Sequence, residues 1–159
     1  MYDINDITDY VILSLTQDDK PTLINLKLQK ILYYLQAWHW GIYNEPLFKG
    51  EFQAWAHGPV NVEIYNRFKD TKTLYSFICF NDVINHEPDI ESNDKDYIDW
   101  ILENYAPFTG VELERMTHNE EPWRIARNGI GQWEICKNII SESSMKKYYG
   151  KRWEELGNN

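Results

Sequence analysis

The side chains best suited to chemistry are His118 and Glu120, in the run His118-Asn119-Glu120-Glu121, together with the distant His57. Imidazole and carboxylate brought together can trade protons with a substrate or hold a metal ion. The spacing matches no recognisable ligand pattern, and a plainer reading accounts for it. A histidine at a helix end gains from the helix dipole, and a glutamate just before Pro122 suits the start of the next helix. His57 precedes Gly58-Pro59, where a histidine more often fixes a turn by hydrogen bonding than it ligates a metal. The sequence has no G-x-x-x-x-G-K-[ST] phosphate loop, no G-x-G-x-x-G, no G-x-S-x-G and no H-E-x-x-H. Cys79 and Cys136 are far apart and form no C-x-x-C, so thiols alone build neither a disulfide framework nor a zinc site. Both are read as small hydrophobes in apolar surroundings. No catalytic residue, metal or cofactor is expected.

The elements that must position these residues read as mostly helical. Apolar residues recur at three- and four-residue steps in Ile4, Ile7, Val11 and Leu15, and again in Leu28, Ile31, Leu32 and Leu35. Two amphipathic helices follow, the first stopping in the polar run Thr16 to Lys20 before Pro21. The second runs from about Leu23 to Trp40 and is closed by Gly41 in a C′ position. Alternation over Phe52, Ala54 and Ala56 predicts a short strand closed by Gly58-Pro59, then a helix from about Val60 to Phe68. Tyr75 to Phe80 suits a second strand or a buried loop. Ser92 or Asn93 can cap a helix that carries Tyr97, Ile98, Ile101, Leu102 and Tyr105. Thr109-Gly110-Val111-Glu112 fits a capping box, Pro122 opens a short helix through Arg127, and a last helix spans about Ser143 to Leu156. The fold class is mainly α: a compact single-domain helical bundle, residues 1–159, with a small β element.

Composition narrows the partners. The chain has 159 residues with 43% hydrophobic and 26% charged, which suits one core. Lys plus Arg is 16 against 25 Asp plus Glu, a formal net charge of -9 that repels nucleic-acid phosphates and anionic membranes. No apolar run reaches the roughly 20 residues of a membrane span, and the N-terminus is acidic where a secretory leader is basic. A cytoplasmic location is expected. Twelve acids and two bases fall between residues 81 and 121, a solvated surface or a binding face. Lys146, Lys147, Lys151 and Arg152 are read as solvating the outer side of the last helix while Met145, Tyr149 and Trp153 face the core. Seven Trp and eleven Tyr suit either a core or a protein-binding surface.

An ordered set of motifs goes further. Leu28-Gln29-Lys30-Ile31-Leu32-Tyr33-Tyr34 is followed by Trp38, then by Pro46-Leu47-Phe48 and Phe52-Gln53-Ala54-Trp55. Next come His57-Gly58-Pro59-Val60 with Tyr65, and finally Thr117-His118 with Glu120, Pro122 and Trp123. This series closely resembles the Panacea domain family, also called SocA-like or GepA-like, over about Leu26 to Arg127. The resemblance implies a bacterial or prophage antitoxin, mainly helical with a small β element, that neutralises a small cognate toxin by direct binding. One branch of the family instead delivers its toxin to a protease. The family supplies no agreed catalytic residues. A separate DNA-binding domain is not expected before Ile4 or after Leu156, and residues 69–106 depart from the family pattern as a partner-specific region would.

The candidate partner-binding residues are Tyr34, Trp38, Trp55, His57, His118 and Trp123, with Asp94, Asp96 and Asp99 opposing a basic target. Neutralising those three acids is expected to slow association while leaving the fold intact. The alternatives are a phage accessory protein acting on a host protein, an adaptor to a protease, or a hydrolase built on His57, His118 and Glu120.

Overall fold

A computed structural model describes residues 1–17 and 22–157. Helix α1 covers Ile4–Leu15, opened by the Asp3 side chain accepting from the Asn5 amide, and Thr16 is its C-cap. The remainder of the expected stop, Asp18 to Pro21, lies outside the described residues. Helix α2, Asn25–Tyr43, runs through the centre of the fold. Strands β1, Gln53–Trp55, and β2, Gly58–Val60, pair antiparallel as a tight hairpin with Ala54 opposite Pro59. Helix α3 is Val62–Phe68, α4 Ser92–Tyr105, α5 Gly110–His118, α6 Glu121–Arg127 and α7 Glu142–Glu155. The fold is therefore mainly α with one small two-stranded sheet, and helices α4, α5 and α7 and the hairpin all pack on α2. The buried apolar residues form one cluster reaching from Ile4 to Tyr149.

Leu28, Ile31, Leu32 and Leu35 are all fully buried, yet α2 is not amphipathic as its spacing suggested: every residue from Asn25 to Trp40 is buried. Buried polar groups are costly unless hydrogen-bonded, and on α2 they bond to distant loops. Lys27 Nζ donates to the Ala106 carbonyl at 2.6 Å. Gln36 bonds both ways with the Leu47–Phe48 backbone, and Gln29 does the same with Asn61. The polar side of the central helix thus holds the connections in place.

Several expected boundaries are corrected. Gly41 does not end α2: the helix continues to Tyr43, and Asn44 takes the left-handed cap at φ 62°. Gly41 is there because α7 crosses against it; a Cβ would stand 2.7 Å from the backbone of Gly150 and Tyr149. The strand expected to close at Gly58-Pro59 instead turns back through them, so the following helix begins at Val62, capped by Asn61. Tyr75 to Phe80 forms no strand. Apart from one bridge between Ile24 and Phe77 it is a loop whose Tyr75, Phe77 and Phe80 are exposed, followed by a single 3-10 turn at Phe80–Asp82. Glu91, not Ser92 or Asn93, is the cap residue of α4. The capping box at Thr109 and Glu112 forms as expected, with both reciprocal bonds present.

Candidate functional site

The residues singled out by sequence fall in three places. Tyr34 and Trp38 lie in the core on α2. The Tyr34 hydroxyl donates to Glu120 Oε1, its ring stacks on Tyr105 at 4.0 Å, and Trp38 Nε1 donates to the Tyr105 hydroxyl at 2.6 Å. Glu120 Oε2 also receives Tyr149 at 3.3 Å and Arg152 at 3.2 Å from α7. Glu121, just before Pro122, lies in the first turn of α6 as expected, while Glu120 is the N-cap residue and its side chain makes no cap bond. Glu120 is the shared acceptor of a buried tyrosine cluster, which Arg152 reaches from the exposed side of α7. Lys146 turns inward, over the Trp40 ring at 4.4 Å.

Burial pushes the Glu120 carboxyl up to about 7 from 4.5, while the Tyr34 hydrogen bond and the Arg152 charge oppose the rise. Between those two values the folded chain holds a proton that the unfolded chain has lost. Stability from this group is therefore fullest below about pH 4.5 and falls as pH rises through 7, by up to about 3 kcal/mol. Glu120→Gln removes the titration. Urea melts from pH 5 to 8 should show the wild type losing stability relative to the variant as pH rises, whereas parallel curves would refute the burial argument.

The second place is the hairpin. Gly58, at φ +94°, brings the chain so close to α2 that a Cβ would meet Lys30 Cε at 2.6 Å and Thr117 Oγ1 at 2.8 Å. Lys30 is 1% exposed and donates to the Pro59 carbonyl at 3.1 Å. Burial lowers its ammonium pKa to about 7, against the pull of Glu114. His57 Nδ1 contacts Glu114 Oε1 at 2.5 Å, and the His118 ring stacks on Trp123 at 4.2 Å. Burial lowers the His118 pKa. The structure thus gathers His57, His118, Lys30 and Glu114 and leaves Glu120 facing the tyrosines. The trio imagined for a hydrolase does not share one set of hydrogen bonds. Among the described residues no three His, Cys, Asp or Glu side chains come together as a metal site requires.

Beside the hairpin opens a cleft of about 490 Å³, between β1, α3 and the segment Trp133 to Lys137. Trp55 lies at its edge, packed on Tyr65 at 4.9 Å, while its carbonyl receives Trp123 Nε1 at 2.9 Å. Trp133 and Ile135 line the cleft and are 68% and 88% exposed. Buried Arg127 positions that segment, donating to the Ala54 carbonyl of β1 and to the carbonyls of Gly131, Gln132 and Glu134. Sequence reasoning missed Trp133, Ile135, Lys30 and Glu114. The available signal was a tryptophan just after the Asn128-Gly129-Ile130-Gly131 break, since a large apolar residue in a loop that leaves a helix is a contact candidate.

The third place is α4. Asp94 accepts from the Tyr2 hydroxyl at 2.5 Å and Asp99 from Tyr10 at 2.9 Å, tying α1 to α4. Asp96 alone of the three makes no intramolecular bond among the described residues. Neutralising all three is therefore expected to weaken the α1–α4 contact as well as any association. Of the cysteines, Cys136 is buried, but Cys79 is exposed with its Sγ at 3.4 Å from Asp82, so the apolar reading holds for only one.

A mainly helical domain with one small hairpin and an aromatic cleft beside it is the setting in which the sequence motifs are found. The chain belongs to the Antitoxin SocA-like, Panacea domain family, whose pattern matches residues 28–124. It is 27% identical over 131 residues to Antitoxin SocA of Caulobacter vibrioides (strain NA1000 / CB15N), covering 74% of this chain and 70% of that protein. No solved structure matches. Membership supports an antitoxin role with a protein partner, and it points away from catalysis. None of the described helices is long and apolar enough to cross a membrane.

Proposed function

We propose that the protein is an antitoxin that neutralises a cognate toxin by binding it directly. The observation that carries this reading is the exposed Trp133 and Ile135 beside the aromatic cleft. Side chains of that size left in water on a rigidly held loop are what a protein partner buries. Trp55, His57, His118 and Trp123 build the frame of this face, and the acids of residues 81–121 favour a basic surface elsewhere on the same toxin. Tyr34 and Trp38 act from beneath, holding α2 against α4 and α7 through Tyr105 and Glu120.

Growth rescue tests the reading. Co-expression with the protein encoded beside it should restore growth and give a complex that copurifies, with association slowing as salt rises. Absence of both rescue and complex, with substrate hydrolysis dependent on His118, would put an enzyme in its place. Rescue that disappears in a protease-deficient host would instead favour delivery of the toxin to a protease.

A further inference from the structure

The cleft is opposite in charge to the chain as a whole. On a chain of formal net charge -9, its walls carry Lys30, Lys69, Lys72 and Lys137, and no acidic residue lines it among the described residues. Lys72 is already bridged to Asp82 at 3.1 Å, and Lys30 lies beneath the hairpin. Lys69 and Lys137 are exposed and make no ion pair among the described residues. The apolar part of the wall is Trp55, Tyr65, Trp133 and Ile135.

We infer that this cleft seats an extended acidic segment of the toxin, one in which carboxylates flank a large apolar side chain. The inference rests on the direct-binding reading above and names the chemistry of the contact. Its ground is charge complementarity: Lys69 and Lys137, with no ion pair among the described residues, line the same cleft as Trp55, Tyr65 and Trp133, so a segment with acidic and apolar side chains satisfies both. A volume of about 490 Å³ is in the range that takes a small molecule or a few side chains. The apolar surface of Trp133 and Ile135 extends past the cavity, which favours a polypeptide over a compact ligand. Aromatic anchors supply most of the affinity in such contacts, and charges flanking them set register and partner choice. The acidic surface around α4 repels the same segment, so the sequence of the toxin is read by a basic cleft on an acidic protein.

The test compares four forms of the intact protein: wild type, Trp133→Ala, the double variant Lys69→Glu with Lys137→Glu, and Lys147→Glu. Lys147 is exposed on α7 outside the cleft and controls for a charge reversal elsewhere on the surface. Each is titrated with the toxin, with ATP and with two labelled peptides, one alternating glutamate and leucine, the other lysine and leucine. Expected is saturable binding of the glutamate peptide alone, with tenfold or greater weakening for toxin and peptide in both cleft variants and none in Lys147→Glu. If the toxin binds all four forms equally, the inference is overturned while the direct-binding reading stands. If the wild type binds no toxin, that reading falls. The cleft assignment is then kept by Lys69- and Lys137-dependent binding of the glutamate peptide and overturned by its absence. Binding of ATP in the cleft with no binding of the glutamate peptide would make it a nucleotide site and overturn the inference as well.

Discussion

Gly58→Val should cost roughly 2–6 kcal/mol, a large share of the roughly 5–15 kcal/mol that holds a domain folded. Two effects add. A β-branched residue at φ +94° carries backbone strain of about 1–3 kcal/mol. Its Cβ would also press on Lys30 Cε and Thr117 Oγ1, at 2.6 and 2.8 Å. Neither neighbour can swing away, because both are buried and bonded, Lys30 to the Pro59 carbonyl and Thr117 to the Glu114 carbonyl at 2.7 Å. Forcing an extra group into such packing costs about another 1–3 kcal/mol. Urea denaturation measures it. A midpoint equal to the wild type would mean that the hairpin does not need this close approach to α2.

Gly41→Ala should be the second severe change, and its partner position makes the comparison decisive. A methyl at Gly41 would sit 2.7 Å from Gly150 N and from the Tyr149 backbone, so α7 must move away from α2. That separation would loosen Tyr149 and Arg152, which both bond to Glu120. A loss of about 3 kcal/mol is expected. Gly150→Ala meets only the Gly41 carbonyl at 3.3 Å, and alanine gains about 1 kcal/mol of helix propensity over glycine. It should be near neutral. Equal melting temperatures for the two variants would contradict the described helix crossing.

Much of the architecture was legible in the sequence because it depends on local rules. The capping box at Thr109 and Glu112, the proline opening α6, and the three- and four-residue spacing of Ile4, Ile7 and Val11 each act within one or two turns. The order of motifs from Leu28 to Trp123 carried the family for the same reason: it is a property of the chain, not of its folded shape. The trade between hairpin and helix at Gly58 to Val60 was harder. Three residues are too few for periodicity to distinguish a returning strand from a helix start.

What the tertiary structure alone decided concerns groups whose partners are far away along the chain. Lys27, Gln29, Lys30 and Gln36 look like the wet side of a helix, and only loops arriving from residues 47 to 106 show that they are buried and bonded. Gly41 reads as a helix stop because glycine serves equally at a terminus and at a close crossing, and nothing nearby announces that α7 passes over it. Glu120 stands at the N-cap of α6, yet its carboxyl turns to Tyr34 and Tyr149, since a buried carboxyl goes where donors converge. The cleft is the same kind of case: Lys69, Trp133 and Lys137 share no local pattern, and Arg127 joins β1 to the Trp133 segment through backbone carbonyls. A sequence by itself determines which residues can form elements and which family they resemble. Which surfaces face water, and which charges meet, depends on long-range packing that places residues a hundred positions apart within hydrogen-bonding distance.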